Sequence, residues 1–424
     1  MAHLQARLCR LLTQPAASLS STSRFLSTGR LMAQNLKEVV VVSGVRTPFG
    51  SFRWSLASLP APELGSIAIK AALERAGVKG EDVDEVYMGM VCQAMAKQAP
   101  AKQAALGAGL PSSTPTTTVN KVCASGMKAV MMAAQNLMCG HSAVMVAGGM
   151  ESMSNVPYYM ARGETPYGGV SLKDGVVFDG LTDAYDGIHM GLCAEKTALD
   201  FTISKREQDQ YAINSYQRSA AAWKGKVFEN EVVPVTVKPK RGPEVVVAED
   251  EEFQRGDPAK LPNLRPAFKK EDGTITAGNA STLNDGAAAC VLMTAEKAHA
   301  MGLKPLAKIL AFADAACQPV DFPIAPTLAI PKVLAMAGLA VEDIALWEIN
   351  EAFSVVVLAC EKKLGLPPDR INVHGGAVSL GHPIGASGAR LVVHLAHALK
   401  EGEKGLAAIC NGGGGASAII LQKL

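Results

Sequence analysis

The feature that most constrains this 424-residue chain is that part of it occurs twice. Cys123-Ala-Ser-Gly-Met-Lys-Ala-Val-Met-Met-Ala-Ala-Gln-Asn-Leu137 aligns with Gly385-Ala-Ser-Gly-Ala-Arg-Leu-Val-Val-His-Leu-Ala-His-Ala-Leu399, with Lys128 opposite Arg390. Shifting the whole chain by the same displacement sets the strand near Val39 on the apolar run Leu306–Phe312, and Val86–Met88 on Ala345–Glu348. Val146-Ala-Gly-Gly149 then falls on the neighbourhood of Ile409-Cys-Asn-Gly412, each after an apolar strand. Segments that repeat together with their flanking strands belong to one supersecondary unit used twice, and two such units need a shared core.

Within each unit the pattern alternates strand and helix. Val39–Val42, Val83–Met88, Thr116–Val119 and Val144–Val146 read as buried strands, and Glu63–Ala76 has helical spacing with Gly77 as its stop. Such alternation predicts parallel sheets covered by helices. Pro157, Pro166, Gly168, Gly169, the charged run 249–252 and the Pro-rich stretch 258–266 have no counterpart in the second unit. The expected organisation is therefore a first half over 36–152 and 284–304, an inserted loop domain over 153–283, and a second half over 305–424. Insertions of that length commonly carry binding surfaces.

Residues 1–35 have another texture. They contain Arg7, Arg10, Arg24 and Arg30, no acidic residue, an amphipathic Leu4–Leu12 stretch and many Ser and Thr. This is the composition of a mitochondrial presequence, which predicts a matrix protein. Its removal takes four of 41 basic residues against 39 acidic ones, so the formal charge of +2 turns slightly negative. That balance excludes a nucleic-acid footprint. The absence of a long uninterrupted apolar run argues against a membrane span. The nine Cys form no C-x-x-C pair, which argues against a zinc site or a disulfide framework.

Three Cys or His positions lie where a strand ends and Gly-rich backbone begins. Cys123 precedes a long Ala/Met helix, whose unpaired N–H groups and dipole favour a thiolate. His382, in Gly381-His-Pro-Ile-Gly385, precedes the matching helix of the other half, and Cys410 precedes four successive glycines. Asn350, in Asn350-Glu-Ala-Phe353, closes a strand and can present an amide to the same crevice. Too few residues follow Gly415 for that glycine run to be a dinucleotide loop. Ligands of open α/β folds bind at strand ends, so these four residues are the candidate active site. Cys92, Cys139, Cys290, Cys317 and Cys360, and His141, His299, His394 and His397, are read as structural.

With these motifs in view the chain resembles the thiolases over residues 36–424. The resemblance rests on Asn120–Lys128, Gly148-Gly-Met-Glu-Ser-Met-Ser154, Asn350–Phe353, Gly375–Gly385 and Cys410–Gly415. It implies a five-layered αβαβα fold of two similar βαβ-type halves with an inserted loop domain, and a homotetramer built as a dimer of dimers. The implied activity is that of the short-chain mitochondrial members. These cleave acetoacetyl-CoA, and 2-methylacetoacetyl-CoA, with CoA, or condense two acetyl-CoA, in ketone-body and isoleucine metabolism. A broad-chain 3-ketoacyl-CoA thiolase of β-oxidation is the alternative.

The resemblance also assigns roles. Cys123 carries the acetyl group as a thioester; His382 takes its proton and donates to the thioester oxygen. Cys410 is the general acid or base at the α carbon. Asn350 holds an oxyanion water, and the Gly412 N–H stabilises the tetrahedral intermediate. Coenzyme A, a substrate and not a redox cofactor, meets Tyr216, Arg255, Gly256, Asp257, Lys260 and Ser281. His189, Met190, Phe322 and Pro323 line the acyl end. A potassium ion is implied at Tyr216, Ala277, Gly278, Ala280 and Val378, mostly through carbonyls. Three departures stand out. Ala94-Met-Ala-Lys97 occupies a stretch that is usually glycine-rich, which predicts a strained turn costing about 1 kcal/mol or more where φ must be positive. Gly256 stands where Val is usual, and Gly278 where Ala is usual.

Overall fold

The structure, a computed structural model, describes residues 36–164, 166–238 and 242–424, so the presequence lies outside the described residues. Glu38–Leu424 forms one compact unit. Its main sheet contains β1 (Val39–Arg46), β2 (Glu85–Gly89), β3 (Thr116–Val119), β4 (Val144–Ser152), β5 (Asn284–Thr294), β6 (Ala307–Ala316), β7 (Leu346–Ile349), β8 (Lys404–Asn411) and β9 (Gly415–Lys423). In space the order is β3-β2-β4-β5-β1-β6-β9-β8-β7. Counted from the start of each half, the first half reads 3-2-4-5-1. The second reads 2-4-5-1, its third strand shrunk to one parallel bridge between Trp347 and Ile371. The halves join where Val40 and Val41 pair with Lys308 and Ala307.

The sheet is mixed, not parallel as the alternation predicts. β2 runs parallel to β3 and β4, and β7 to β8, but β4–β5, β5–β1, β6–β9 and β8–β9 are antiparallel. The reason is visible at the glycine run. Gly413 and Gly414 both have φ of 81° and make a tight turn between β8 and β9. A tight turn returns the chain antiparallel, whereas a parallel neighbour needs a long crossover.

Eight helices matter here: α1 (Ala61–Ala76), α2 (Pro100–Gly107), α3 (Ser125–Met138), α4 (Met190–Asp200), α5 (Lys205–Lys224), α6 (Pro326–Ala337), α7 (Ser354–Leu364) and α8 (Ile384–Ala398). Side-chain alternation sorts them into layers. On β5, Ala287, Ala289, Val291 and Met293 pack with Leu64, Ala68 and Ala72 of α1. Ala288, Cys290 and Leu292 face the other way, into a core shared by α3 and α8. On β8, Ala407 and Ile409 enter that same central core, while Leu406, Ala408 and Cys410 face α6 and α7. The result is five layers, with the two repeated segments, α3 and α8, forming the middle one.

The repeat's matched glycine explains why these helices can be central. A Cβ on Gly126 would lie 2.9 Å from both the Ala389 nitrogen and the Gly385 oxygen, and one on Gly388 would lie 2.6 Å from the Met127 nitrogen. Each glycine therefore admits the other helix's backbone, and the two N-termini end up side by side.

Residues 153–283 emerge from the end of β4 and return into β5. Their anchorage is ionic. The fully buried Arg46 of β1 donates to Glu231 at 2.7 Å and to both oxygens of Asp250 at 2.7 and 2.9 Å. Glu231 also bonds His394 Nδ1 of α8 at 2.8 Å. Among the described residues no helix is long and apolar enough to cross a membrane.

Candidate active site

Cys123 sits at the end of a strained turn. Val122 before it has φ of 47°, a left-handed conformation that a β-branched residue adopts only when its surroundings force it. The turn is held by the Ser125 hydroxyl, which accepts from the Lys121 N–H at 2.8 Å and donates to the Val122 carbonyl at 2.6 Å. Lys121 reaches into the other half, to Asp314 and to Ser417 at 2.8 Å. The backbone N–H groups of Cys123 itself and of Gly412 lie close enough to the Cys123 sulfur to favour its anion. Those two donors stabilise an anion, but burial outweighs them and pushes the thiol up to about 11. The thiolate expected from the helix terminus is therefore not the resting state.

His382 occupies the matching place before α8. Asn284 accepts its backbone N–H at 2.8 Å, and its Nδ1 lies 2.6 Å from the Ser387 hydroxyl. Where Ser387 gives its single proton to the Pro383 carbonyl, 3.0 Å away, Nδ1 carries the ring's N–H. That leaves Nε2 as a bare acceptor, with no partner among the described residues. Burial, helped by the Arg390 charge, lowers the ring to about 3 and keeps it neutral.

One cavity of about 720 Å³ joins these groups. Cys123, His382, Gly412, His189, Met190, Tyr216, Arg255, Gly256, Ala277, Ala280, Ser281 and Phe322 all line it. Cys410 and Asn350 do not, being fully buried at the ends of β8 and β7. Cys410 is close enough to Cys123 for their charges to interact, and burial, with that neighbour, raises its thiol well above the ordinary range. Asn350 donates its backbone N–H to the Ala408 carbonyl at 2.9 Å, which places it beside the Cys410 strand, and both polar atoms of its side chain lack partners among the described residues. Buried amides and imidazole nitrogens are nearly always paired, so unpaired ones beside a cavity mark where a bound oxygen or water belongs.

The remaining candidates divide. Asp257 and Lys260 pair with each other at 3.1 Å on an exposed turn outside the cavity wall, and Pro323 lies behind Phe322. Gly256 is required here, because a Cβ would fall 2.1 Å from the Tyr216 ring. At Gly278 a Cβ would fall 1.8 Å from the terminal methyl of Leu261, so that side chain would have to move to admit the usual Ala. Leu261, Tyr216 and Val378 share one small buried cluster, so Gly278 and Val378 flank the Tyr216 side of the cavity. None of the described hydrogen bonds is donated to the carbonyls of Ala277, Gly278, Ala280 or Val378. Oxygen donors without partners, together with a Tyr216 phenol raised to about 12 by burial and by the Glu252 and Glu351 charges, fit a hard monovalent cation.

Several residues of the site carried no assignment in the sequence. Ser387 and Asn284 orient His382, and Phe268 and Phe353 build the aromatic wall beside Phe322, with ring centroids 6.3 and 6.5 Å apart. Glu151 accepts N–H groups from Val91, Cys92 and Gly385 at 3.0, 3.2 and 2.9 Å, tying the first half to the start of α8. Burial raises its carboxyl to about 7 despite those donors. The repeat held the signal for Ser387, which is the partner of Ser125. Glu151 lay within a quoted motif, but nothing in the sequence showed what it would face.

A strained turn at Cys123, an unpartnered imidazole nitrogen and two backbone N–H groups near one sulfur are an arrangement suited to acyl transfer. Residues 39–296 match the thiolase N-terminal domain and residues 303–423 the thiolase C-terminal domain. The chain belongs to the thiolase family. It is 65% identical over 401 residues to the mitochondrial acetyl-CoA acetyltransferase of Bos taurus, covering 95% of each chain. To the mitochondrial acetyl-CoA acetyltransferase of Homo sapiens it is 64% identical, covering 95% of this chain and 94% of that one. A crystal structure of the Acat5 thiolase from Ascaris suum, in complex with coenzyme A, superposes with a TM-score of 0.89 at 51% identity, covering 92% of this chain and all of the other.

Proposed function

We propose that this thiolase catalyses reversible acetyl transfer between coenzyme A thioesters in mitochondria: cleavage of acetoacetyl-CoA by CoA, and the reverse condensation of two acetyl-CoA. The observation that carries the reading is the Cys123 sulfur, beside the backbone N–H groups of Cys123 and Gly412, on a cavity wall it shares with the unpartnered Nε2 of His382. The mitochondrial acetyl-CoA acetyltransferases to which the chain is similar over nearly its whole length support the same reaction and compartment.

In cleavage, His382 Nε2 takes the Cys123 proton as the sulfur adds to the 3-keto carbon. The N–H groups of Cys123 and Gly412 receive the developing oxyanion. Collapse breaks the bond between carbons 2 and 3, and the electron pair leaves as the enolate of acetyl-CoA. Asn350, through a water, and His382 stabilise that enolate, and Cys410 protonates its carbon. A CoA thiol, giving its proton to the Cys410 thiolate, then attacks acetyl-Cys123 and leaves as a second acetyl-CoA, and His382 returns its proton to the Cys123 sulfur. Oxyanion donors of this kind are worth about 10²–10³ in rate each. Phe268, Phe322 and Phe353 close the acyl end and favour short chains over long ones. Arg255, Gly256, Tyr216 and Ser281 meet coenzyme A along the cavity, with Asp257 and Lys260 reaching the nucleotide from outside it.

Tyr216, Ala277, Gly278, Ala280 and Val378 would hold potassium, whose fixed charge would order the turn that presents Ser281. We assign the protein to homotetramers by resemblance, and 153–283 to coenzyme A binding and assembly. The test is thiolysis of acetoacetyl-CoA, 2-methylacetoacetyl-CoA and a long-chain 3-ketoacyl-CoA by wild type, Cys123→Ser and Cys410→Ser at two potassium concentrations. Loss of turnover in both variants, short-chain preference and potassium stimulation are expected. Efficient long-chain cleavage would transfer the protein to the broad-chain class.

A further inference from the structure

The mouth of the cavity carries an aromatic side chain that the reaction as described does not use. The Arg255 guanidinium lies over the indole of Trp54, 4.8 Å from its centroid, and Trp54 is 59% exposed. Arg255 lines the cavity and so does Phe52, two residues from Trp54. Large exposed indoles are uncommon unless they meet a ligand or partner.

This pairing is built, not incidental. Residues 50–57 form a tight turn, with Trp54 N–H donating to the Ser51 carbonyl and Ala57 N–H to the Trp54 carbonyl, each at 3.0 Å. Arg53 takes φ of 59°, a left-handed conformation that costs about 1 kcal/mol or more, and its N–H donates to the Ser154 hydroxyl at 2.7 Å. The turn is stapled to the segment bearing Arg255. Ser51 N–H donates to Glu251 Oε2 at 2.7 Å, and Glu251 N–H to the Phe49 carbonyl at 3.1 Å. Backbone bonds on both sides thus hold the turn bearing Trp54 beside the segment whose Arg255 lines the cavity together with Phe52.

We propose that Trp54 and Arg255, stacked on each other, act as a clamp only in concert with the ligand, offering their open face to the adenine nucleotide of coenzyme A, with Trp54 as a binding residue that nothing in the reaction chemistry requires. The inference rests on the thiolase reading. A planar purine stacks on indole or guanidinium faces, and the anionic phosphates of the same nucleotide are attracted to the cation. The clamp therefore recognises the part of the substrate farthest from the thioester.

The experiment compares acetoacetyl-CoA with acetoacetyl-pantetheine, which lacks the nucleotide. In Trp54→Ala the KM for acetoacetyl-CoA should rise about tenfold, within the range found for base–aromatic stacking, while kcat/KM for the pantetheine thioester moves less than twofold. Trp54→Phe, which keeps an aromatic face, should stay within about threefold of wild type on both substrates. Because Trp347 is fully buried and Trp223 packs against Phe228 and Phe253, free CoA should quench wild-type tryptophan fluorescence in a way that Trp54→Phe loses and pantetheine does not reproduce. Equal losses on the two substrates, or an unchanged KM in Trp54→Ala, would overturn the clamp while leaving the thiolase reading intact. A wild type inactive on both substrates would overturn the thiolase reading and the clamp with it.

Discussion

At neutral pH Cys123, the proposed nucleophile, and His382, its proposed base, are both uncharged. Burial holds the Cys123 thiol near 11 and the His382 ring near 3, so neither an ion pair nor a free thiolate exists before substrate arrives. Alkylation of Cys123 by iodoacetamide should therefore accelerate about tenfold per pH unit between pH 7 and 10, because only the thiolate reacts. Peptide mapping should find Cys410 labelled far more slowly, since it is fully buried. A rate that levels off near neutrality would mean a preformed thiolate–imidazolium pair. Ser387 fixes which ring nitrogen faces the cavity. Ser387→Ala removes that constraint and should lower kcat by about 10², the lower end of what a general base contributes, with KM little changed. These roles were only partly legible in the residues. Strand-end placement singles out Cys123, His382, Asn350 and Cys410, and the matched serine of the repeat points at Ser387. The protonation state was not legible, because the helix terminus argues for a thiolate while burial, known only from the fold, argues more strongly against one.

At the scale of the element, the turn after β2 shows how a local expectation meets its tertiary setting. The glycine-poor stretch predicts strain, and Met95, Lys97 and Ala99 do adopt positive φ, at 60°, 64° and 51°. Gln103, on α2, holds the turn by donating from Nε2 to the carbonyls of Ala96 and Gln98 at 2.7 and 2.8 Å. Lys97→Gly should stabilise the protein by up to about 1 kcal/mol, since relief of left-handed strain exceeds the added freedom of the unfolded chain. Chemical denaturation measures it, and a destabilised variant would show that the turn is not strained at Lys97. Helix and strand positions were readable from apolar spacing. Their ends were less so: β4 continues past Val146 to Ser152 and β1 past Val42 to Arg46. Those extensions carry polar or glycine residues such as Ser43, Gly148 and Glu151, which are buried by neighbouring strands that a local pattern cannot reveal.

At the scale of the whole molecule, function depends on two halves presenting their helix starts to one cavity. The repeat announced the duplication, but not that β1 and β6 pair to carry one sheet through both halves, nor that most neighbours run antiparallel. Those are consequences of tight turns and long-range pairing. Gly126→Ala tests the shared middle layer. The added methyl, 2.9 Å from Ala389 backbone, should cost about 1–3 kcal/mol by overpacking. It should also lower kcat more than it raises KM, because it pushes the Cys123 turn away from α8. Unchanged kcat would separate the helix contact from catalysis. The central claim is that Cys123 carries the acyl group between two coenzyme A molecules, and it is tested most directly by mapping the enzyme quenched during incubation with acetoacetyl-CoA alone. The expected result is one acetyl group, on the peptide containing Cys123, absent from Cys123→Ser and discharged when CoA is added. An acetyl group on another residue, or turnover that persists in Cys123→Ser, would contradict the account.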